Sequence, residues 1–254
     1  MTAARGGIRL NTDTGFLKII AMITMVIDHV GAVFYPGLTV MRIIGRIAFP
    51  IYAYCIAVGC VYTRNIAKYA LRVLVLAVVS QPIYVIALRH ITPAMSELMQ
   101  AGLMNPLNLL KWYGDSLRYA NILFTLLFGI LMIWSLKEKK YVVTGVLTLA
   151  VFQLSGFINY GWRGVAMMLI FHAFIDRPTT SFLWMAGFMT WWGLTTGSSN
   201  SLFGVQFALQ TYALLALPLI YIPTKTQWKL PKWAFYLFYP AHLAAIYGAT
   251  LLLR

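Results

Sequence analysis

Long apolar runs alternate along the chain with short clusters rich in Lys, Arg, Gly and Pro. A hydrocarbon core about 30 Å thick needs about 20 mostly apolar residues per crossing helix. On that measure the pattern predicts nine spans, at 16–35, 43–61, 69–88, 119–136, 141–158, 162–175, 181–194, 203–222 and 233–253. The sixth and seventh are short for a crossing, which suits broken or partly re-entrant helices. The longest piece between spans, 89–118, mixes apolar residues with Pro93, Pro106, Trp112 and Tyr113. It reads either as an interfacial or re-entrant cap on the outer side or as a plain loop. The predicted fold is therefore all-α, a polytopic transmembrane helical bundle forming one domain over residues 1–254.

Charge changes the picture by giving the bundle a direction. Basic residues outnumber acidic ones by 20 to 6, for a net charge of +14. With the N-terminus cytoplasmic, the inner segments collect Arg5, Arg9 and Lys18; Arg64, Lys68 and Arg72; Lys137, Lys139 and Lys140; Arg177; and Lys225, Lys229 and Lys232. Lys and Arg concentrate on the cytoplasmic side of membrane proteins, so this orientation is preferred and the chain ends outside, at Arg254. The first apolar stretch is long, lacks a small-x-small cleavage site and carries Asp28 and His29, as expected of a retained helix rather than a cleaved signal.

Composition then removes other classes. With 61% hydrophobic and 10% charged residues, the chain falls far from the roughly 25% charge of soluble domains. Nucleic-acid binding is excluded, because the basic residues sit in short clusters between apolar runs rather than on one polar face. Two cysteines do not make a disulfide scaffold. Cys55 and Cys60, five apart on one apolar span, have no useful spacing for a bridge or a metal. No Gly-rich nucleotide loop, G-x-S-x-G or HExxH motif occurs. No internal repeat supports an inverted-repeat transporter.

Ionisable residues inside the apolar runs carry the candidate chemistry, since each costs about 2.5–3.5 kcal/mol to insert. Lys18 and His29 are eleven residues apart in the first span. At about 100° and about 1.5 Å per residue they share one helix face and stand ~16 Å apart along it. That face predicts a groove with a cation at its cytoplasmic mouth and an imidazole deep inside. Asp28 cannot orient its neighbour His29 on the same helix, and an unpaired carboxylate there is costly. Arg46, in the first turn of the second span, is its expected partner, and Pro50 makes the surrounding backbone irregular.

Other polar positions are weaker. His242 lies beside Pro240 on the last span and reads equally well as a packed histidine or as a functional imidazole. His172 sits near the inner end of the sixth span. Arg163 lies in the outer turn Tyr160-Gly161-Trp162-Arg163-Gly164, and Asn121 opens the fourth span as a capping residue would. His90 and Asp115, in the outer segment, are expected to be solvated.

Five blocks, in order, carry a family resemblance. They are Asp28-His29-Val30-Gly31 at the end of the helix begun by Lys18; Gly45-Arg46-Ile47-Ala48-Phe49-Pro50; Ala120-Asn121-Ile122-Leu123-Phe124; Asn159-Tyr160-Gly161; and Phe238-Tyr239-Pro240-Ala241-His242-Leu243. Together they resemble the TraX family, known for acetylating the N-terminus of conjugative pilin from acetyl-CoA. The basic residue ten positions before a histidine also resembles the membrane acyltransferase-3 group, whose histidine is held to be catalytic.

The resemblance implies acyl transfer in a bacterial inner membrane, from cytosolic acetyl-CoA to an amine or hydroxyl presented in or across the bilayer, with no metal. His29 is the implied general base. Arg46 stabilises the oxyanion or holds Asp28, and His242 is a candidate acetyl relay. Lys18, with Arg72 or Lys232, suits the phosphates of CoA, and His172 is a further donor contact. Tyr52, Tyr239, Arg163 and Asn121 are candidate acceptor contacts. The residues alone leave two alternatives: a non-catalytic pilus-assembly or export partner, and a proton-coupled transporter relaying through Asp28 and His29.

Overall fold

A computed structural model describes residues 9–197, 200–202, 205–226, 228 and 230–253, without the side chains of 201, 202, 205 and 232. Arg5, Lys229, Arg254 and the side chain of Lys232 thus lie outside the described residues. Helices α1 (Thr14–Phe34), α2 (Thr39–Gly45), α3 (Ala48–Tyr62) and α4 (Ile66–Ala87) come first, then the short α5 (Pro93–Gln100) and α6 (Pro106–Ser116). Next are α7 (Ile122–Lys137), α8 (Tyr141–Gln153), α9 (Gly161–Ala173) and α10 (Pro178–Thr195). A two-stranded antiparallel hairpin, β1 (Asn200–Leu202) and β2 (Val205–Phe207), leads into a 3-10 helix (Leu209–Ala216), α11 (Leu217–Tyr221) and α12 (Lys232–Leu252).

Apart from that strand pair, the regular elements among the described residues are helices. Among the described residues, four stretches are long and apolar enough to cross a membrane: α1, Thr39–Tyr62, α4 and Trp233–Leu252. Ile122–Lys137, Tyr141–Gln153 and Leu209–Tyr221 are shorter apolar helices. This is a membrane protein, and the remaining predicted spans correspond, among the described residues, to helices that are shorter or less apolar than these four. The eighth predicted span, 203–222, is not one α-helix. Of its described residues, Val205–Phe207 form β2, the next turns are 3-10, and α-helix begins only at Leu217, where Pro218 is tolerated in the first turn.

The chain divides into two compact units, with the division falling inside α9. In the first unit, residues up to Tyr62 join Ala166–Leu230. Here α1 packs antiparallel to α2 and α3, and α10 packs on the 3-10 helix, which also contacts α2 and α3. One end is closed by a polar clasp. Asn11 donates its amide N–H to Ile220 O and its Nδ2 to Leu219 O, and Tyr54 Oη donates to Asn11 O. Asp13 caps α1 by accepting from Phe16 N, and also accepts from the backbone and side chain of Thr226 at 2.7 Å each. A carboxylate at a helix N-terminus is favoured by the helix dipole.

In the second unit, α4 packs against α7 and α12, α7 and α8 form a hairpin, and α5 and α6 pack on each other, with α6 also against α4. Pro82 interrupts α4. Proline has no N–H for the carbonyl four residues back, here Val78, and the Tyr113 hydroxyl of α6 donates to that carbonyl at 2.9 Å. Segment 89–118 is thus a helical hairpin tied to α4. Met104 is 98% exposed on it and Leu110 69%, which leaves an apolar face outward.

His90 and Asp115 are not solvated as expected. The His90 ring stacks on Tyr119 at 5.0 Å and tilts against Tyr84 at 5.6 Å. Asp115 pairs with Arg118 at 2.6 Å and accepts from the Thr92 hydroxyl. The hairpin folds back on its own helices, so both residues face protein. Desolvation there pushes the His90 imidazole below its ordinary pKa.

Candidate functional site

Of the six acidic residues, only Asp28 lies within one of the four long apolar stretches. It is buried, and it is paired twice. Arg46 Nη2 approaches Oδ1 at 2.7 Å and Arg42 Nη1 approaches Oδ2 at 2.9 Å. Arg42 Nη1 also donates to the Asp28 carbonyl at 3.1 Å, and Arg46 Nε donates to Arg42 O at 3.3 Å. The Asp28–Arg46 pair was anticipated; Arg42 was not. It lay outside the predicted span, yet it stands four residues before Arg46, on the same helix face, and that spacing was a usable signal.

The backbone makes room for this cluster. The stretch Thr39–Tyr62 is two helices with a break at Arg46 and Ile47. Pro50 has no N–H for the Arg46 carbonyl, so the ladder cannot run continuously through this point. At the break α2 approaches α1 so closely that a Cβ on Gly45 would lie 2.1 Å from Asp28 Oδ1. A Cβ on Gly31 would lie 2.7 Å from Met41 Cβ. Two glycines therefore permit the crossing at which the ions meet.

His29 is half-buried and follows Asp28 by about 100° around α1. Lys18 stands about 15 Å away along α1 from Asp28, and its ammonium is within electrostatic reach of the Cys55 thiol on α3. Tyr52, half-buried on α3, is in electrostatic reach of the same thiol. The first unit thus holds, where α1 faces the stretch Thr39–Tyr62, Lys18 with Cys55 toward the Asn11 end and Asp28 with Arg46 toward the other. Cys55 and Cys60 are both buried and unbridged. His172 lies in the last turn of α9, in this unit. An apolar groove of about 660 Å³ runs between α9 and α10, lined by Ile170, Phe174, Leu183, Trp184 and Trp191 among others, and none of the residues chosen from the sequence lines it.

The remaining candidates belong to the second unit. Asn121 is fully buried and structural: Oδ1 caps α7 by accepting from Leu123 N, and Nδ2 donates to Ala77 O and Gln81 Oε1. His242 is buried, with Nδ1 against Phe238 O at 2.9 Å, its ring stacked on Phe238 at 4.9 Å and edge-on to Tyr239. A carbonyl partner makes Nδ1 the protonated nitrogen and leaves Nε2 the basic lone pair. The Arg163 guanidinium lies over the Trp162 ring at 5.2 Å. Arg72 is in the second turn of α4, and the backbone of Lys232 opens α12.

A model of the TraX protein family matches residues 13–250. The chain belongs to the TraX family. It is also 27% identical over 256 residues to "Probable fimbrial assembly protein FimC, serogroup H1" of Dichelobacter nodosus, covering 94% of this chain and 96% of that one. A short stretch of 38 residues, 15% of each chain, is 58% identical to an uncharacterised protein of Rickettsia prowazekii (strain Madrid E). No solved structure matches the chain.

In this TraX-family chain four of the five sequence blocks meet in pairs, each pair within one unit. The first two meet in the first unit, where Asp28 joins Arg46 beside Gly45. The third and fourth meet in the second. Ala120 bridges to Ile158, Ala120 N donates to Phe157 O, and Thr125 Oγ1 donates to Asn159 O. The fourth block takes a left-handed turn, with φ of 62° at Tyr160 and 55° at Gly161, where a Cβ would lie 2.4 Å from Ser155 Oγ. The fifth block is the kinked middle of α12 around Pro240.

Proposed function

We propose that this TraX-family protein is a membrane acyltransferase that moves an acetyl group from cytosolic acetyl-CoA to an amine or hydroxyl presented in the bilayer, in a bacterial inner membrane. The acceptor implied by the family resemblance is the N-terminal amine of pilin. The observation that carries the reading is an imidazole, His29, next in sequence to a buried carboxylate held by two guanidiniums within a predominantly apolar helix pair. Inserting such groups is expensive, and this combination is the equipment of acyl transfer.

In the proposed step His29 accepts the proton of the attacking amine or hydroxyl. The nucleophile adds to the thioester carbonyl, the tetrahedral oxyanion forms, and its collapse expels the CoA thiolate, which regains a proton from the imidazolium. Two guanidiniums face one carboxylate among the described side chains, so the cluster carries a surplus positive charge suited to that oxyanion. Asp28 fixes both guanidiniums. Lys18 is assigned to the CoA phosphates, with Arg72, Lys232 and His172 as further donor contacts. Tyr52, Tyr239 and Arg163 are assigned to the acceptor and His242 to a relay, while Asn121, buried and committed to capping α7, is left out of the scheme. No metal takes part in this scheme.

The name of the Dichelobacter relative favours a second reading, a pilus-assembly partner without catalysis. In that case the buried ions serve only packing. Membranes incubated with labelled acetyl-CoA and pilin, or other candidate acceptors, separate the two. Label transfer by the wild type that is lost in His29→Ala at equal expression supports the transferase. Equal transfer in both, or none with any acceptor, leaves the assembly partner.

A further inference from the structure

The 3-10 helix Leu209–Ala216 has about three residues per turn, so its side chains form three eclipsed stripes. One stripe starts at Thr211 and faces α10, where the Thr211 hydroxyl fills the space that a Cβ on Gly193 would take. A second ends at Leu215, which is 50% exposed. The third is Gln210, Ala213 and Ala216, all buried. Since the helix also contacts α2 and α3, this buried stripe is the one directed at them.

Depth can be read from paired residues. Ser181 of α10 meets Tyr221 at 2.6 Å, and Ala208 N donates to Gly193 O at 2.8 Å. Twelve residues of α10 separate those points, about 18 Å. Ile220 in turn lies at the Asn11 end of α1, from which Asp28 is about 21 Å along the helix counted from Thr14. Gln210 therefore stands toward the Asp28 end of this unit, away from Asn11, on the element that packs against the arginine-bearing α2. Gln210 is 8% exposed, and its Nε2, like the Thr211 hydroxyl, has no hydrogen-bond partner among the described residues. A buried amide donor without an acceptor is costly.

We infer that Gln210 is a ligand-binding residue of this site, its Nε2 donating to the carbonyl oxygen of the bound acyl group at the Arg42–Arg46 end of this unit. This rests on the acyltransferase reading and adds a donor on a third element. A donor amide and a surplus positive charge both call for an oxygen acceptor, and the acyl carbonyl is the acceptor that acetyl-CoA has and CoA lacks.

The test uses full-length protein in detergent, with acetyl-CoA and CoA as probes and titration calorimetry as readout. Gln210→Met matches the volume without the donor, and Gln210→Leu is the second variant. An unliganded Tm at or above the wild-type value shows that the variants fold, since an unpaired amide has been removed. The expected result is that wild type prefers acetyl-CoA to CoA, and that this preference falls about tenfold in both variants with CoA affinity unchanged. An unchanged preference in folded variants, an equal loss for both probes, or no preference in wild type overturns the inference, whether or not acetyl groups are transferred. A preference that depends on Gln210 in a protein that transfers no label leaves the carbonyl seat standing and removes the transferase.

Discussion

The carboxylate of Asp28 occupies the space that any side chain at residue 45 would need: a Cβ there would lie 2.1 Å from Oδ1 and 2.3 Å from the Asp28 Cβ. Gly45→Ala is therefore expected to push α2 away from α1 and to lengthen both guanidinium contacts. Overpacking costs about 1–3 kcal/mol, and loosening a buried ion pair adds to it. Thermal unfolding in detergent checks this, with Gly37→Ala, where a Cβ meets nothing within 4 Å, as the silent control.

Removing the acid alone leaves two guanidiniums facing each other. Asp28→Ala is expected to cost about 3–5 kcal/mol, the range for breaking one side of a buried ion pair. Asp28→Asn with Arg46→Gln should cost less than the sum of the singles. A double-mutant cycle on unfolding free energy checks this, and additivity within 0.5 kcal/mol, on the order of the scatter for independent sites, rejects a coupled pair.

Asp13 makes the polar clasp acid-sensitive. Burial alone raises its carboxyl pKa, and hydrogen bonds from Thr226, Phe16 and Thr224 outweigh that and hold it below 3.8. The folded state thus binds this proton less readily than the unfolded state. The stabilisation is present above the unfolded pKa and is lost as pH falls through the folded value. The Tm gap between wild type and Asp13→Asn is expected to shrink as pH drops from 6 toward 3, roughly the carboxylate range.

His90 gives a second dependence, in a higher window. Its pKa is lowered by desolvation between Tyr84 and Tyr119, so the folded state prefers the neutral ring. Stability is full above pH 6.5, declines as pH falls toward the folded pKa, and levels off below it. His90→Phe keeps the stacking and is expected to flatten the Tm profile just below pH 6.5.

Tyr113 and Pro82 form a compensating pair. Tyr113→Phe removes the donor to the Val78 carbonyl and is expected to cost about 0.5–1.5 kcal/mol. In a Pro82→Ala background the backbone N–H at residue 82 restores that hydrogen bond, so the same change should become nearly silent. An equal loss in both backgrounds, measured by unfolding, assigns the tyrosine to packing alone.

The amino-acid pattern disclosed the helices better than the interactions between them. An acid in an apolar run must be paired, and this made the Asp28–Arg46 contact legible before any coordinates. Arg42 escaped because it preceded the predicted span, although Arg46 four residues later gave it a helical neighbour. His90 and Asp115 were misplaced because polarity alone does not distinguish water from a Tyr–Tyr sandwich or an Arg–Thr clasp. The run 203–222 read as one helix because apolarity on every side hides the difference between three and 3.6 residues per turn. Gln210 was invisible for the same reason: only the stripe to which it belongs separates it from a lone amide in a greasy segment.

Two arginines around one aspartate have an electrical consequence. A fixed unit of positive charge in the low-dielectric interior repels protons and metal cations, as an arginine does in the constriction of a water pore. Moving a unit charge across a potential of 100 mV is worth about 2.3 kcal/mol, so a surplus of this sign beside Asp28 disfavours cations there and tolerates neutral and anionic groups.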